Sequence, residues 1–386
     1  MKKRIFTGIL TVVAVLNLLA WNSTEFCDFY KDHVFVLWVN TYSRFTDIFP
    51  FSVGEWMLGL GVLLCTFLIL CLLTEGIRFF VRVATRQSFS FTRFSKRFFK
   101  QFAWIFLVVS VLMTCNCFIL YHCSGFWQEN MNTRFPVARQ EEKQYTVKSL
   151  GILRDYIVKK ADVLAEAMER DQDGNVIYRK DIKEQAIQEM KRMGTLYGGL
   201  AGYYPHPKGI LSSNFLSQQY MMGYYFPFSM EANYNTQMYI MNMPVTMCHE
   251  LSHLKGYIYE DEANFIGYLA CIGSSDPVFQ YSGYLSVLSY VNNDYYEALG
   301  KNSALYNTHV KVSSLVKHDR VFLTEKTWEK VEKKAVIKTE TVHKAANTFL
   351  ENNLTVNGVE EGVASYGQVV GLLLQYYDGI LYGGEE

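Results

Sequence analysis

The sequence predicts a membrane protein with three N-terminal transmembrane helices and a mostly helical α+β domain beyond them. Three observations carry this. The first part of the chain holds three long apolar runs, "IFTGILTVVAVLNLLAW" (5–21), "WMLGLGVLLCTFLILCLL" (56–73) and "FAWIFLVVSVLMTCNCFILY" (102–121). After residue 121 the composition turns mixed, with apolar residues at helical spacing between charged ones. One stretch, 198–246, breaks that pattern with glycine, proline, asparagine and many tyrosines, which reads as loops and short strands.

A helix rises 1.5 Å per residue, so roughly 20 apolar residues cross the hydrocarbon. The expected spans are about 5–21, 56–76 and 102–121. Run one follows Lys2, Lys3 and Arg4 and is short enough to resemble a signal peptide. It has Leu18 where a small residue would precede cleavage after Ala20, so it reads as a retained anchor. The connection between runs two and three carries Arg78, Arg82, Arg86, Arg93, Lys96, Arg97 and Lys100 against Glu75 alone, whereas that between runs one and two carries Lys31 and Arg44. The positive-inside rule therefore expects the N-terminus and the 78–101 loop in the cytoplasm. The division is a membrane domain, 1–121, and an extracytoplasmic domain, 122–386. Phe79, Phe80, Phe89, Phe91, Phe94, Phe98 and Phe99 interleave with the loop cations, a pattern suited to anionic lipid. With 37 basic and 37 acidic side chains, no global charge draws the chain to nucleic acid, and none is expected as a partner.

Elements of the outer domain follow in order. Residues 145–170 predict an amphipathic helix ended by the turn "DQDGN" (171–175). That turn is no calcium loop, because its glycine is fourth rather than sixth. A second helix is expected over 179–197. Pro244 suits the first turn of a helix starting there, and 277–298, 324–351 and 364–379 predict further helices, the last interrupted by Gly371. Of eight cysteines, Cys65, Cys71, Cys115 and Cys117 fall in apolar runs. Cys27 and Cys123 fall just outside the membrane, where a disulfide is conceivable but not demanded by spacing.

The chemistry concentrates in "MCHELSHLKGYIYEDEANF" (247–265). Residues i and i+4 share a helix face, so His249 and His253 can aim at one ion. Two histidines and a carboxylate suit zinc and leave a position for water. Glu250 lies about 100° round the axis, placed to take the proton of a zinc-activated water and pass it to a leaving amine. By composition, H-E-x-x-H should occur roughly 0.01 times in such a chain. Gly256 lets the helix end and turn back. Glu260 and Asn264 are again i and i+4. Glu260 is the favoured third ligand, with Asn264 fixing a histidine tautomer. Glu262 is the alternative ligand, and a plain acidic first turn is the bland reading of this cluster.

The Glu-x-x-Ala-Asn spacing resembles the corresponding helix of gluzincin metallopeptidases, including the membrane-embedded Ste24 and HtpX type, with Asn264 where those usually have aspartate and only six residues between His253 and Glu260. The metzincin pattern fits through Gly256 but fails at Tyr259, where a third histidine is required. Together, three N-terminal spans, "YYFPFSMEANYNT" (224–236), "HELSHLKG", "EDEANFIGYLAC" and "SDPVFQYSGYL" resemble the bacterial family catalogued as domain of unknown function 3810. That resemblance implies a zincin-like outer domain with a zinc site at His249, Glu250, His253 and Glu260. It leaves the segment around Glu231, Asn233 and Asn235 open, as a substrate-pairing strand or as support for the zinc helix. Tyr225, Tyr234 and His206 are candidates to steady an oxyanion, with none singled out.

The expected function is therefore that of a membrane-anchored zinc metallopeptidase with one Zn2+, Glu250 as general base and an unspecified peptide substrate. The alternative is a non-catalytic envelope binding or scaffold protein that zinc only stabilises, suggested by the tyrosine richness of 197–239.

Overall fold

The computed structural model describes residues 2–131, 145–356 and 368–382. Helix α1 (Lys2–Asn22) is followed by α2 (Thr24–Tyr30), which opens a helical connection reaching Asp47. Helices α3 (Val53–Ala84) and α4 (Arg93–Met113) come next, the latter carried on by further helical turns to His122. Three segments, Lys3–Asn22, Val53–Ala84 and Arg93–His122, are long and apolar enough to cross a membrane. Their side chains show it, with Leu60, Leu63, Ile69, Phe106 and Val108 exposed. Only 6% of the apolar window is buried in the first two, against 28% in the third. The difference lies at the C-terminal end of the third, where Ile119 and Leu120 enter the protein core.

The expected loop at 78–101 is mostly helix. Nothing between Arg78 and Ala84 breaks α3, which runs on until the chain turns at Arg86, φ +51°. The non-helical part is 85–92. Glu75 fastens this turn: it accepts hydrogen bonds from Thr92 N (3.1 Å), Thr92 Oγ1 (2.8 Å) and Ser95 Oγ (2.5 Å), so a carboxylate of α3 sits at the start of α4.

The remaining chain forms α5 (Val147–Ala167), α6 (Ile182–Leu196), β1 (Lys208–Ile210), α7 (Ser213–Gln218), β2 (Gly223–Phe226), β3 (Glu231–Asn235), α8 (Met243–His253), α9 (Glu260–Ile272) and α10 (Pro277–Ala298). Helices α11 (Ser314–Asp319), α12 (Glu325–Lys334), α13 (Thr339–Val356) and α14 (Val369–Tyr376) complete it. The 171–175 turn closes as expected, Asp171 Oδ1 accepting from Asp173 N and Asn175 N at 2.9 and 2.8 Å. The expected helix at 324–351 is two helices. They part at Ala335, whose backbone is extended, ahead of the β-branched pair Val336 and Ile337, which fit a helix poorly. Of the expected 364–379 helix, 369–376 is helical, and 364–367 lie outside the described residues.

The sheet has three strands in the order β1-β3-β2. Central β3 pairs parallel with β1 (Lys208↔Asn233) and antiparallel with β2 (Gly223↔Tyr234, Phe226↔Glu231). All five β3 residues are buried. Helix α8 packs on β3 and β2, and α9 packs on α8. The two helices approach closely because α9 presents Gly267: a Cβ there would stand 3.1 Å from Val245 O and 3.3 Å from His249 N.

The connection between α1 and α3 belongs to the same packed body. Glu231 accepts from Val53 N (3.1 Å) and Gly54 N (2.8 Å), capping α3 from the sheet. Glu55 replies, accepting from Leu211 N (2.8 Å) and Ser212 N (2.6 Å). Asp47 pairs with His206 and accepts from Tyr203 Oη at 2.7 Å. Gly54 is required there, since a Cβ would meet the Phe226 ring at 2.5 Å.

Candidate metal centre

Helix α8 begins with Pro244 in its first turn and ends at His253. Gly256 turns the chain with φ +88°, its N–H donating to His253 O at 3.0 Å, and α9 starts at Glu260. These local devices put the site residues side by side. His249 Nε2 lies 3.2 Å from His253 Nε2, with the ring planes at 88°. Glu260 Oε2 lies 3.0 Å from His249 Nε2. The carbonyl of Tyr257 can only accept, so His253 Nδ1 donates to it (2.7 Å) and the Nε2 lone pair faces His249. The Asn264 side chain neighbours His249, with its Nδ2 buried and without a hydrogen-bond partner. Donor atoms of His249, Glu250 and His253 all fall within 4.8 Å of one another.

Glu250 is buried, and its Oε2 has no hydrogen-bond partner. Burial pushes its carboxyl up to about 8, with the Glu260 charge adding to the rise and His249 opposing it. His253 goes the other way, to about 4, because burial disfavours its imidazolium. Burial also pulls His249 down, but the hydrogen bond and charge of Glu260, the charge of Glu250 and the Asn264 side chain outweigh it and hold His249 above its ordinary value. The cluster is thus a buried set of lone pairs and carboxylate oxygens short of positive charge. Such a set fits a divalent ion: two imidazole nitrogens and one carboxylate match zinc, each histidine is oriented by a neighbour, and the orphaned Glu250 oxygen lies beside them.

Glu262 is not brought to the histidines. Its carboxylate takes the backbone N–H of Phe126 and neighbours Glu129 and Lys31, and burial pushes it up to about 8. Of the two candidate carboxylates, Glu260 is therefore the one beside His249. The three oxyanion candidates are engaged elsewhere. The Tyr225 ring sits 6.1 Å from that of His253, but its hydroxyl donates to Asn116 O at 3.2 Å. Tyr234 lies against Gly209, and His206 pairs with Asp47. The cysteines of the sequence are free thiols, Cys27 and Cys123 included. Cys27 Sγ donates to Ala20 O and Cys123 Sγ to Ile119 O.

Two groups near the cluster escaped the sequence. Tyr224, raised first by burial, also feels Glu55, Glu231 and Glu250. Tyr290 of α10, likewise raised by burial, feels Glu260. No local signal marks either: alternation along a strand that faces Glu250 with Gly223 selects Tyr225 and turns Tyr224 to the other face. In the open segment around Glu231, two of the three residues are engaged within the fold, while Asn233 Oδ1 is buried without a hydrogen-bond partner. Glu231 caps α3, and Asn235 Nδ2 donates to Ser217 Oγ (3.0 Å) and Met221 O (3.1 Å).

Three helices long and apolar enough to cross a membrane, together with a helical domain holding a largely buried two-histidine, two-glutamate cluster, describe a protein suited to membrane association that has a candidate metal centre. The chain matches, over residues 30–374, the family described as protein of unknown function (DUF3810), and it belongs to that family. No match to the chain exists among curated proteins or among solved structures.

Proposed function

We propose that the protein is a membrane-anchored zinc metallopeptidase of zincin type, with its helical domain outside the cytoplasm and its N-terminus and basic 78–101 segment inside. One observation carries the reading: Nε2 of His249, Nε2 of His253 and Oε2 of Glu260 converge beside a buried carboxylate, Glu250, that has an unpartnered oxygen. His249, His253 and Glu260 would hold the ion. When bound, zinc supplies the electrophile that polarises water and the peptide carbonyl. Glu250 takes the proton of the attacking water and delivers it to the leaving amine, a role suited to a carboxyl whose burial raises its affinity for protons. Asn264 and the Tyr257 carbonyl keep the two imidazoles aimed. The outer edge of β2, next to Glu250 at Gly223, offers backbone groups to an extended substrate.

A second reading, a zinc-stabilised scaffold without catalysis, draws on the full burial of β3 and the structural duty of Glu231. One experiment separates them. In the purified full-length chain, the peptidase reading expects one zinc per chain, loss of zinc in His253→Ala, and zinc retained in Glu250→Gln with hydrolysis of a peptide mixture down by roughly 100-fold or more. Zinc-loaded wild type that cleaves no peptide, or Glu250→Gln that cleaves as well as wild type, overturns it.

A further inference from the structure

We infer that the substrate is the stretch of a membrane-anchored polypeptide that lies directly outside the bilayer, entering the site from its membrane side. The inference rests on the peptidase reading above and on where the cluster sits. Two apolar helices end against it. On one side Tyr225 links His253 to Asn116: the rings of Tyr225 and His253 are 6.1 Å apart, and the Tyr225 hydroxyl donates to the Asn116 carbonyl. Asn116 is six residues before His122, where the apolar helix stops, so it lies roughly 9 Å inside that end. On the other side Gly223, the first residue of β2, stands against Glu250, and Tyr224 next to it is within electrostatic reach of both Glu250 and Glu55, in the first turn of α3.

The β2–β3 turn fills the gap between these helix ends. Asn116 Nδ2 donates to Pro227 O (2.9 Å), Thr46 Oγ1 donates to Ser229 O (2.9 Å), and the Phe226 ring rests on Gly54. Strand β2 therefore starts at Glu250 with Gly223 and finishes at the membrane helices with Phe226. Its outer edge pairs with no strand among the described residues. A chain lying along that edge runs from the bilayer to the carboxylate within four residues.

The rim at this level is apolar. Phe45, Phe51 and Trp56 are exposed, Ile48 is 74% exposed and Leu211 73%. Phe45, Phe49, Phe51 and Trp56 form a chain of ring contacts with centroids 5.6 to 6.3 Å apart. Leu211 is pinned at the start of α3 through Glu55. Exposed aromatic and aliphatic groups continuous with a membrane helix belong in the lipid interface. That side of the site thus faces lipid headgroups rather than bulk water, and a polypeptide already anchored in the bilayer is presented to it directly.

The test uses the full-length zinc-loaded chain in phosphatidylethanolamine–phosphatidylglycerol vesicles, with Glu250→Gln as the blank. Its probes are a randomised segment joined directly to a single membrane helix, the same segment set off from that helix by a long glycine–serine spacer, and the same segment as free peptides. Both anchored probes share one bilayer, so membrane attachment by itself raises their effective concentration alike. The expected result is cleavage of the directly joined segment at least about tenfold above the other two. The cuts should fall within about six residues of the helix, roughly 20 Å of extended chain. Equal cleavage of the spaced or free segments leaves the peptidase reading standing and overturns this inference. Cleavage of none by the zinc-loaded chain overturns both.

Discussion

Gly223 carries no side chain because none fits. A Cβ there would meet Asn233 O and Glu250 Oε1, each at 2.6 Å, and the first of these is backbone that cannot swing aside. Gly223→Ala must therefore move β2 or push Glu250 out of place. The expected outcome is a loss on the order of 2 kcal/mol in stability, with zinc content kept and peptide hydrolysis sharply reduced; an alanine variant as active as wild type would refute the placement of Glu250. A second residue contributes to the acid sensitivity of the fold. Asp319 is buried and accepts from Arg170 (2.9 and 2.7 Å), Tyr281 (2.9 Å) and Tyr239 (3.2 Å). Burial alone would raise its carboxyl, but the hydrogen bonds of Arg170, His318 and Tyr281 outweigh that and hold it below its ordinary value. The folded value lies under the unfolded one, so this contribution is complete above about pH 4 and is lost as pH falls through the folded value. Asp319→Asn should cost on the order of 3 kcal/mol at neutral pH and flatten the loss of stability below pH 4 relative to wild type. Melting temperatures across that range check it; an unchanged acid slope would place the sensitivity elsewhere.

At the scale of elements, two carboxylates cap helices remote from them in sequence or across a turn. Glu231 of β3 caps α3, and Glu75 of α3 caps α4. Both exploit the unsatisfied N–H groups and positive end of a helix start. Glu231→Ala should cost about 1 to 2 kcal/mol, the scale of a lost cap, and loosen the 44–55 segment from the sheet. Faster proteolysis there with zinc still bound is the expected signature, and unchanged proteolysis would mean the cap is dispensable. These capping contacts also mark where the sequence stops being readable. The elements that make the candidate site are local: four-residue spacing aligns His249 with His253 and Glu260 with Asn264, and Gly256 turns one helix into the next. All of that is visible in nineteen consecutive residues. The role of Glu231 is not, because its partner amides, Val53 and Gly54, lie 178 and 177 residues away. Nor is the division of 324–351 at Ala335, where a break decided by two β-branched residues overrides otherwise continuous helical spacing. Helix α10 needed no long-range information: Asp276 caps it and Pro277 starts it.

At the scale of the whole molecule, a cut at residues 121–122 matches the hydropathy of the chain but not its packing. Lys31, from the connection after α1, is buried against the turn of the site. It pairs with Glu129, stands 4.8 Å over the Tyr257 ring, and lays its stem on Gly256, where a Cβ would meet Lys31 Cδ at 2.8 Å. Tyr257 in turn donates to Glu129 (2.8 Å), and its carbonyl takes the proton of His253 Nδ1. A residue from the membrane-connecting segment thus supports the group that aims a candidate ligand. Removing residues 1–121 takes away Lys31, strips the cap partners Val53 and Gly54 from Glu231, and leaves Glu129 without its cation. The fragment 122–386 should melt well below the full chain and bind zinc about 10- to 100-fold more weakly, the range seen when groups that orient metal ligands are lost. Lys31→Met in the full chain isolates the cause, because it keeps the apolar stem against Gly256 and deletes only the charge. If orientation through Tyr257 is what matters, that variant should lose zinc affinity with most of its melting temperature intact. Equal zinc affinity in fragment, variant and wild type would mean that residues 122–386 build the site alone and that the segment before them only tethers it.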